Sequence, residues 1–276
     1  MKDINEIEKM SYVEFVSFIQ EENRPSGGKK TIRIIAQNSF TNKETNVLEI
    51  GCTNGFSSLE ISRITGCSVI GIDIDEQSVC NANEKAKKYK IDDKVKFYKE
   101  SVEYLPYTDD SFDLIVLGNA LSFINNKNKA INEILRVVKP SGFISVVPIW
   151  YKSQINTDAQ KTIDATSSIL GFSINPMYKK DWLRTIEDNN LEIYFSQDFA
   201  FDKKSEQDIQ NYVEKMIGPK DHLKCYSKDI LHYVKSRWEK TMQVFYNNLQ
   251  LTNYSIFLLR KNDVNEEKEL FSAHII

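Results

Sequence analysis

Clustered cysteines and histidines are missing from this sequence. Its four cysteines are scattered, with no C-x-x-C pair, and none of the three histidines lies near a cysteine at a ligand spacing; the cysteines are Cys52, Cys67, Cys80 and Cys225. A structural zinc site or a disulfide framework is therefore not expected, and we predict no metal cofactor. Reduced thiols in a cytoplasmic protein are the simplest interpretation.

Long apolar runs and an excess of positive charge are missing as well. No hydrophobic stretch approaches the roughly 18–20 residues that span a membrane, and the first residues are charged, unlike a signal peptide. Lysine and arginine together number 36 against 39 aspartates and glutamates, which gives a net charge of −3. Because nucleic-acid binders carry clustered basic surfaces, we expect neither a nucleic acid nor a membrane as partner, and a homodimer stays open.

Alternating strand and helix patterns fill much of the 276 residues. From residue 45 onward, short β-branched runs alternate with helical patterns, which predicts an α/β fold with a mostly parallel sheet and helices on both faces. The seven predicted strands are residues 46–50, 68–73, 95–98, 112–117, 143–147, 191–201 and 254–260.

The remaining residues predict additions to this core. Ser11 and Glu14 have the spacing of a capping box at the start of an N-terminal helix. We therefore expect a helical lid at 1–40, the core at 41–201, a helical cap insertion at 202–250, and a final strand and tail at 251–276. The cap is rich in aromatic residues, as a lid that excludes water would be.

The chemistry is indicated by the residues after the first strand. Glu49 ends that strand, and a turn with Gly51 and Gly55 opens into a helix. Glycine is needed where a backbone turns sharply or a ligand approaches the main chain closely. Asp73 ends the next strand, where a carboxylate can accept hydrogen bonds from both hydroxyls of a ribose.

The turn does not have the pattern of a dinucleotide or nucleoside triphosphate site. In the G-x-G-x-x-G fingerprint, the second and third glycines would fall on Thr53 and Phe56. A Walker A loop would end in Gly-Lys-Ser/Thr, which is not present. A turn with no pyrophosphate to bind can hold something smaller, such as an amino-acid group.

The sequence closely resembles the class I S-adenosylmethionine (SAM)-dependent methyltransferases, particularly those acting on small molecules. The resemblance covers residues 47–147 and includes five motifs in the family's order, at 49–55, 71–74, 101–107, 111–116 and 133–142. It implies a Rossmann-like, seven-stranded fold that binds SAM and releases S-adenosylhomocysteine. The cofactor-binding residues that it implies are Glu49, Gly51, Cys52, Gly55, Asp73, Ile74, Ser101, Val102, Gly118 and Asn119.

The third motif departs from the family at Ser101. An aspartate that bonds the adenine amino group is usual at that position. A serine hydroxyl can still accept this bond, so we expect modestly weaker adenine binding rather than its loss.

Methyl transfer from a sulfonium is an in-line displacement in which the leaving group needs no proton, so the sequence names no clear catalytic residue. Asn119, His222 and Tyr12 are candidates, and Arg24 and Trp150 are candidates for binding the acceptor. DNA and protein amide methyltransferases carry Asn/Asp-Pro-Pro-Tyr where this chain has residues 119–122, Asn-Ala-Leu-Ser. A small-molecule acceptor between cap and sheet is therefore favoured.

Three different functions stay open from the sequence alone. The chain could bind SAM without catalysis, as a sensor or a partner subunit, because intact glycines cannot establish turnover. It could methylate a protein or an RNA. It could also be a nucleotide-dependent oxidoreductase, against which the missing third glycine counts.

Overall fold

One twisted mixed sheet organises the molecule. The computed structural model describes residues 2–118, 120, 124 and 126–262. Its strand order is β3-β2-β1-β4-β5-β8-β6, with β7 also pairing with β8. The strands are β1 (Asn46–Ile50), β2 (Ser68–Asp73), β3 (Val95–Lys99), β4 (Phe112–Leu117), β5 (Val138–Val146), β6 (Ile149–Tyr151), β7 (Leu191–Ala200) and β8 (Thr252–Lys261).

The first five strands run parallel, and β8 runs antiparallel to β5, β6 and β7. This arrangement confirms the predicted α/β fold with a mostly parallel sheet. The central strand β1 lies between β2 and β4, so the chain leaves the sheet in opposite directions on either side of it. A crevice therefore opens at the carboxyl ends of β1 and β4, the usual place for a ligand in such sheets.

Helices connect the strands and extend the fold at both ends of the chain. Their bounds are α1 (Ile4–Glu8), α2 (Tyr12–Phe18), α3 (Lys29–Asn38), α4 (Phe56–Thr65), α5 (Glu76–Tyr89), α6 (Lys127–Val137), α7 (Thr157–Leu170), α8 (Lys179–Asp188), α9 (Glu206–Ile217) and α10 (Lys228–Leu249). A 3-10 turn, Asp221–Leu223, joins α9 to α10. The predicted capping box of α2 is present, since Ser11 and Glu14 bond each other's backbone N–H groups.

Three elements differ from the sequence prediction. Strand β5 begins at Val138, because Val138 pairs with Phe112 of β4 across a β-bulge, although the sequence predicted this strand only from residue 143. Helix α7 and the short strand β6 were not predicted.

Apolar side chains cover both faces of the sheet and form a third cluster away from it. The two sheet clusters centre on residues such as Val116 on one face and Ile115 on the other. The third cluster joins the N-terminal helices to the cap; it contains Ile7, Phe15, Val16, Ile19, Val213, Ile217, Leu223, Val234 and Trp238. The predicted lid and cap therefore share one apolar core.

Helix α7 extends this lid and cap unit. It packs against α10 of the cap and also contacts α2. The sequence prediction assigns residues 157–170 to the 41–201 core. The domain bounds themselves stay a prediction.

Within the described residues, no helix is long and apolar enough to cross a membrane. Over the same residues, no three or more histidine, cysteine, aspartate or glutamate side chains are grouped so that they could hold a metal ion. The four cysteines are unpaired. The final residues of the predicted tail, 263–276, lie outside the described part of the chain.

Candidate functional site

The turn between β1 and α4 depends on glycine at two positions for different reasons. Gly51 has a φ of +73° and Gly55 a φ of +81°, in the left-handed region that favours glycine. A Cβ on Gly51 would lie 2.9 Å from the Ala120 Cβ, across the crevice at the end of β4. A Cβ on Gly55 would lie 2.7 Å from Cζ of Phe97, inside the core. Gly51 thus keeps the crevice open, whereas Gly55 lets the turn pack on the sheet.

Asp73 lies at the carboxyl end of β2 and faces this turn. Its Oδ2 accepts a hydrogen bond from the Thr53 backbone N–H at 2.9 Å, and its Oδ1 accepts one from the Asp75 backbone N–H at 3.0 Å. Burial raises the pKa of the carboxyl above its ordinary value, while these two hydrogen bonds oppose that shift. Each oxygen keeps a lone pair, so the carboxylate can accept two further bonds, as two ribose hydroxyls require.

Side chains beside Asp73 offer a surface for a flat base. The Ile74 side chain is 73% exposed, which leaves an apolar group uncovered directly after the carboxylate. Val102 is buried on the neighbouring loop, and Ser101 is partly exposed there, where its Oγ accepts a bond from the Glu103 N–H at 3.3 Å. An exposed isoleucine next to a ribose-type carboxylate and a serine hydroxyl fits an adenosine.

Glu49 interacts with the protein itself. Its carboxylate is buried, and Oε2 accepts bonds from the Ser58 N–H at 2.9 Å and the Ser58 Oγ at 2.5 Å. Burial raises the pKa of Glu49 to about 7. The first turn of α4 is thus bound by a side chain from β1, so the described contacts of Glu49 hold the loop in shape.

Cys52 is also internal to the turn. It is 2% exposed, and burial raises the pKa of its thiol well above the ordinary value. A buried, protonated thiol is a poor nucleophile. Only the backbone of Cys52 is therefore suited to contact a ligand.

The end of β4 is only partly described. A Cβ on Gly118 would meet no atom of the described residues within 4 Å, so this position borders open space on the described side. Asn119, a candidate both for the cofactor and for the acceptor, lies outside the described residues.

The loop that precedes α3 covers the glycine turn. The Asn54 side chain is fully buried, and its Nδ2 donates to the Glu21 carbonyl at 2.6 Å. Asn81 of α5 donates from Nδ2 both to the Asn54 Oδ1 at 2.9 Å and to the Ser17 carbonyl at 3.2 Å. Sequence reasoning missed Asn54 and Asn81; the only signal was an asparagine inside the glycine motif.

Glu21 connects this loop to the cap. The carboxylate is 6% exposed, and its Oε1 accepts a hydrogen bond from the Tyr212 hydroxyl at 2.9 Å. Its Oε2 is buried without a hydrogen-bond partner in the described structure. Lys220, also in the cap, donates to the Gln20 carbonyl. Charged side chains, Glu21 and Lys220, therefore lie at the contact between lid and cap.

The candidate residues of the lid and cap fall into separate environments. Arg24 forms an ion pair with Glu22 at 2.5 Å and lies over the Phe56 ring, so its charge is already paired. His222 Nε2 bonds the Phe18 carbonyl at 3.0 Å, and burial lowers the pKa of its imidazole. His222 thus fastens the cap to the end of α2.

Tyr12 and Trp150 lie on different elements. Tyr12 is the first residue of α2, partly buried, with its ring 5.4 Å from the Phe245 ring of the cap. Burial and the Glu21 carboxylate raise the pKa of its phenol. Trp150 is on β6, and its Nε1 donates to the Ser255 Oγ at 2.9 Å. Tyr12 therefore lies, like His222, at the contact of lid and cap.

Comparison with known sequences gives a family. A family model described as a methyltransferase domain matches residues 41–213. A sterol 24-C-methyltransferase of Debaryomyces hansenii is 29% identical over 180 residues, which are 64% of this chain and 47% of that protein. A 27-O-demethylrifamycin SV methyltransferase of Amycolatopsis mediterranei is 35% identical over 101 residues, 36% of this chain and 37% of that protein. The chain spans about half the length of the curated relatives it matches.

Solved structures share the fold at low identity. The MccD protein has a TM-score of 0.71 at 24% identity and covers 87% of this chain and 100% of its own. The phospholethanolamine N-methyltransferase 2 of Haemonchus contortus, solved with phosphomonomethylethanolamine and S-adenosylhomocysteine, has a TM-score of 0.68 at 16% identity over 93% and 61% of the two chains. The [4+2]-cyclase SpnF reaches 0.67 at 16% identity over 91% and 97%. These likenesses show the fold alone.

Proposed function

Because the chain belongs to the class I SAM-dependent methyltransferase family, we propose that it transfers the methyl group of SAM to a small-molecule acceptor and releases S-adenosylhomocysteine. The observation that carries this proposal is the pairing of Asp73 with the glycine turn. The Thr53 N–H fixes the carboxylate at the mouth of the crevice that Gly51 keeps open. The pairing places a carboxylate that can accept hydrogen bonds from ribose hydroxyls next to a turn that can bind a small polar group.

The site residues have distinct proposed roles. Asp73 accepts the ribose hydroxyls, while Ile74 and Val102 enclose the adenine and Ser101 accepts from its amino group. The turn at Gly51 and Cys52 contacts the methionyl part through its backbone, with Gly118 and Asn119 on the opposite side. Glu49 and Gly55 support this turn from within, through Ser58 and Phe97.

The reaction needs positioning more than acid–base chemistry. SAM supplies an activated methyl group on a sulfonium. The chain has to align the acceptor in line with that group and exclude water. The shared core of the lid and cap can exclude water, since Phe15 and Trp238 hold the two together near the loop that covers the glycine turn. Asn119, His222 and Tyr12 stay candidates for orienting or deprotonating an acceptor, and Arg24 and Trp150 for binding it.

A small-molecule acceptor is supported by the relatives and by the cap. The names of the relatives refer to a sterol and to a rifamycin derivative, and one solved neighbour holds phosphomonomethylethanolamine. The cap and lid present a joint apolar unit rather than an open basic surface. A cytoplasmic location, a homodimer and the lack of a nucleic acid partner stay predictions.

A second candidate is a member of this family that binds SAM or its product without methyl transfer. A solved neighbour with nearly the same coverage is named as a cyclase, so this fold alone does not decide the reaction. Such a member would serve as a sensor or as a partner subunit. A third candidate is a methyltransferase whose acceptor is a protein or an RNA.

The test is isothermal titration with S-adenosylhomocysteine, followed by an acceptor screen with methyl-labelled SAM. Wild type is expected to bind on the micromolar scale, about −8 kcal/mol. Asp73→Ala should largely abolish binding and Asp73→Asn should weaken it, while the exposed Asp93→Ala, with the same loss of charge, should bind like wild type. No heat with S-adenosylhomocysteine, together with binding of NAD or a flavin, would instead support an oxidoreductase. Binding without labelled product from small molecules, protein or RNA would support the non-catalytic candidate.

A further inference from the structure

A cavity lies inside the joint lid and cap unit. Its volume is about 530 Å³, and it is bounded by the start of α2, the end of α7 and the middle of α10. Ligand pockets for small molecules commonly have volumes of about 300–1,000 Å³. The cavity is therefore large enough for a small organic molecule.

The charged residues that line the cavity are both cations. Arg237 and Lys240 lie one turn apart on α10, and the lining contains no aspartate or glutamate from the part of the chain that the structure describes. Lys240 is exposed at the rim and makes no ion pair with a carboxylate in the described part of the chain. The field inside the cavity is thus positive and favours an anionic group.

Arg237 is fixed in place without a carboxylate partner. Its Nη2 donates to the Met10 carbonyl at 2.6 Å, its Nη1 donates to the Ile7 carbonyl, and its guanidinium lies 4.1 Å from the centre of the Phe15 ring. Burial lowers the pKa of Arg237, while Tyr233 of the lining and, less strongly, the Glu8 carboxylate outside the cavity raise it. The cation is therefore compensated by carbonyl dipoles and a ring face, and it can attract an anion in the cavity.

The rest of the lining is largely apolar. Met10, Phe15, Ile169 and Val244 supply aliphatic and aromatic surface. Apolar walls with a few polar groups are typical of pockets that bind organic molecules and orient them. The lining thus fits an apolar body that carries an anionic group at one end.

Helix α2 connects the cavity to the glycine turn. Tyr12 lines the cavity at the start of this helix. At its other end, the Ser17 carbonyl accepts a hydrogen bond from Asn81, which in turn bonds Asn54 of the turn. One short helix therefore contacts both the cavity and the elements that hold the cofactor turn.

We propose that this cavity binds a small molecule with an apolar body and one carboxylate or phosphate group. This inference goes beyond the proposed function and does not depend on it. Arg237 and Lys240 bind the anionic group, and Tyr12 contacts the body of the ligand at the side facing the lid.

The experiment measures, by isothermal titration, the binding of three probes of equal chain length to the protein saturated with S-adenosylhomocysteine. The probes are octanoate, octyl phosphate and octan-1-ol. Octanoate or octyl phosphate should bind at least about tenfold more tightly than the alcohol, because a buried charge-assisted contact is lost with the alcohol. The better of the two anions identifies the group.

Three variants locate the bound probe. Lys240→Gln should weaken binding of the anions about three- to tenfold, whereas Lys228→Gln, an exposed lysine at the start of the same helix, should leave it unchanged. Ser236→Phe fills the cavity and should abolish binding of the probes. Binding of S-adenosylhomocysteine, measured on each preparation, shows that the variant is folded.

The outcomes separate this inference from the proposed function. Equal binding of octanol and octanoate, equal effects of Lys240→Gln and Lys228→Gln, or unchanged binding in Ser236→Phe would each overturn the inference while the methyltransferase proposal stands. If S-adenosylhomocysteine itself does not bind, the proposed function fails, and titration of octanoate into the free protein still decides the ligand class.

Discussion

The Asn81 side-chain amide donates a hydrogen bond to the Asn54 Oδ1 at 2.9 Å, and both side chains are buried. Asn54 belongs to the glycine turn after β1, and Asn81 to α5 after β2. Because each asparagine also holds a backbone carbonyl of the N-terminal segment, at Glu21 and Ser17, the pair connects the lid directly to the cofactor turn. Order in the lid and order in the turn are therefore coupled.

Replacing either asparagine should destabilise the lid and the glycine turn together. Asn54→Ala or Asn81→Ala leaves a buried partner without its hydrogen bond, which costs about 1–3 kcal/mol of the free energy of unfolding. Urea unfolding of both single variants and the double variant should give a coupling energy of about 0.5–3 kcal/mol. The exposed Asn247→Ala is the control. Additive effects of the two substitutions would show that the pair does not act as a unit.

Alanine substitutions should show which glycines of the site are needed for packing and which for ligand binding. Gly55→Ala places a Cβ 2.7 Å from Phe97 Cζ in a left-handed conformation, so its unfolding free energy should fall by more than about 1 kcal/mol. The Cβ of Gly118→Ala meets no atom of the described residues within 4 Å, so this variant should keep its stability. If Gly118 borders the cofactor, its variant should nevertheless bind S-adenosylhomocysteine more weakly. Equal melting temperatures for the two variants would contradict this division.

Glu49 should make stability fall with rising pH. Burial raises the pKa of Glu49 from 4.5 to about 7 in the folded protein, so between these values the folded state holds a proton that the unfolded state has lost. Stability from this group is therefore full below about pH 4.5 and is lost as the pH rises through about 7, by up to about 3 kcal/mol.

Comparison with Glu49→Gln isolates this contribution. The glutamine keeps an oxygen acceptor for Ser58 but carries no charge, so the difference in unfolding free energy between the variant and wild type should grow in favour of the variant from pH 5 to pH 8. The exposed Glu84→Gln serves as the control for removal of a surface charge. A difference that stays constant with pH would show that Glu49 has an ordinary pKa in the fold.

Lid and cap should lose order together. Phe15 is 1% exposed in their shared core and lies 6.1 Å, ring centre to ring centre, from Trp238. Phe15→Ala should cost about 3–5 kcal/mol, because a large cavity forms. Val13→Ala on the exposed side of the same helix should change the unfolding free energy by less than about 0.5 kcal/mol.

Limited proteolysis checks whether the loss of order caused by Phe15→Ala reaches the lid. Because Pro25 blocks trypsin after Arg24, the glutamate-specific protease Glu-C is used in its place; cleavage after Glu22, in the loop that covers the glycine turn, should become faster in Phe15→Ala and stay at the wild-type rate in Val13→Ala. If the loop resisted cleavage equally in both variants, lid and cap would be independent units.

The cofactor half of the site could be predicted from the sequence because its signals are local. Strands β1, β2 and β4 have the bounds that the sequence predicted, and Gly66 ends α4 in the left-handed conformation. The glycines and Asp73 mark a turn and a strand end that adjacent parallel strands bring together. Short stretches of consecutive residues therefore determined the cofactor half of the site.

The cap half was decided by contacts between distant parts of the chain. Helix α7 was missed because, of its fourteen residues, only Ile163 and Thr166 are buried, which leaves little apolar periodicity to read. The contact between lid and cap depends on residues far apart in the sequence, such as Phe15 and Trp238. The Asn54–Asn81 pair consists of polar side chains that follow no periodic pattern. A sequence specifies such contacts only through the packing of the whole fold, so the tertiary structure alone determined how the lid is attached and where the cavity lies.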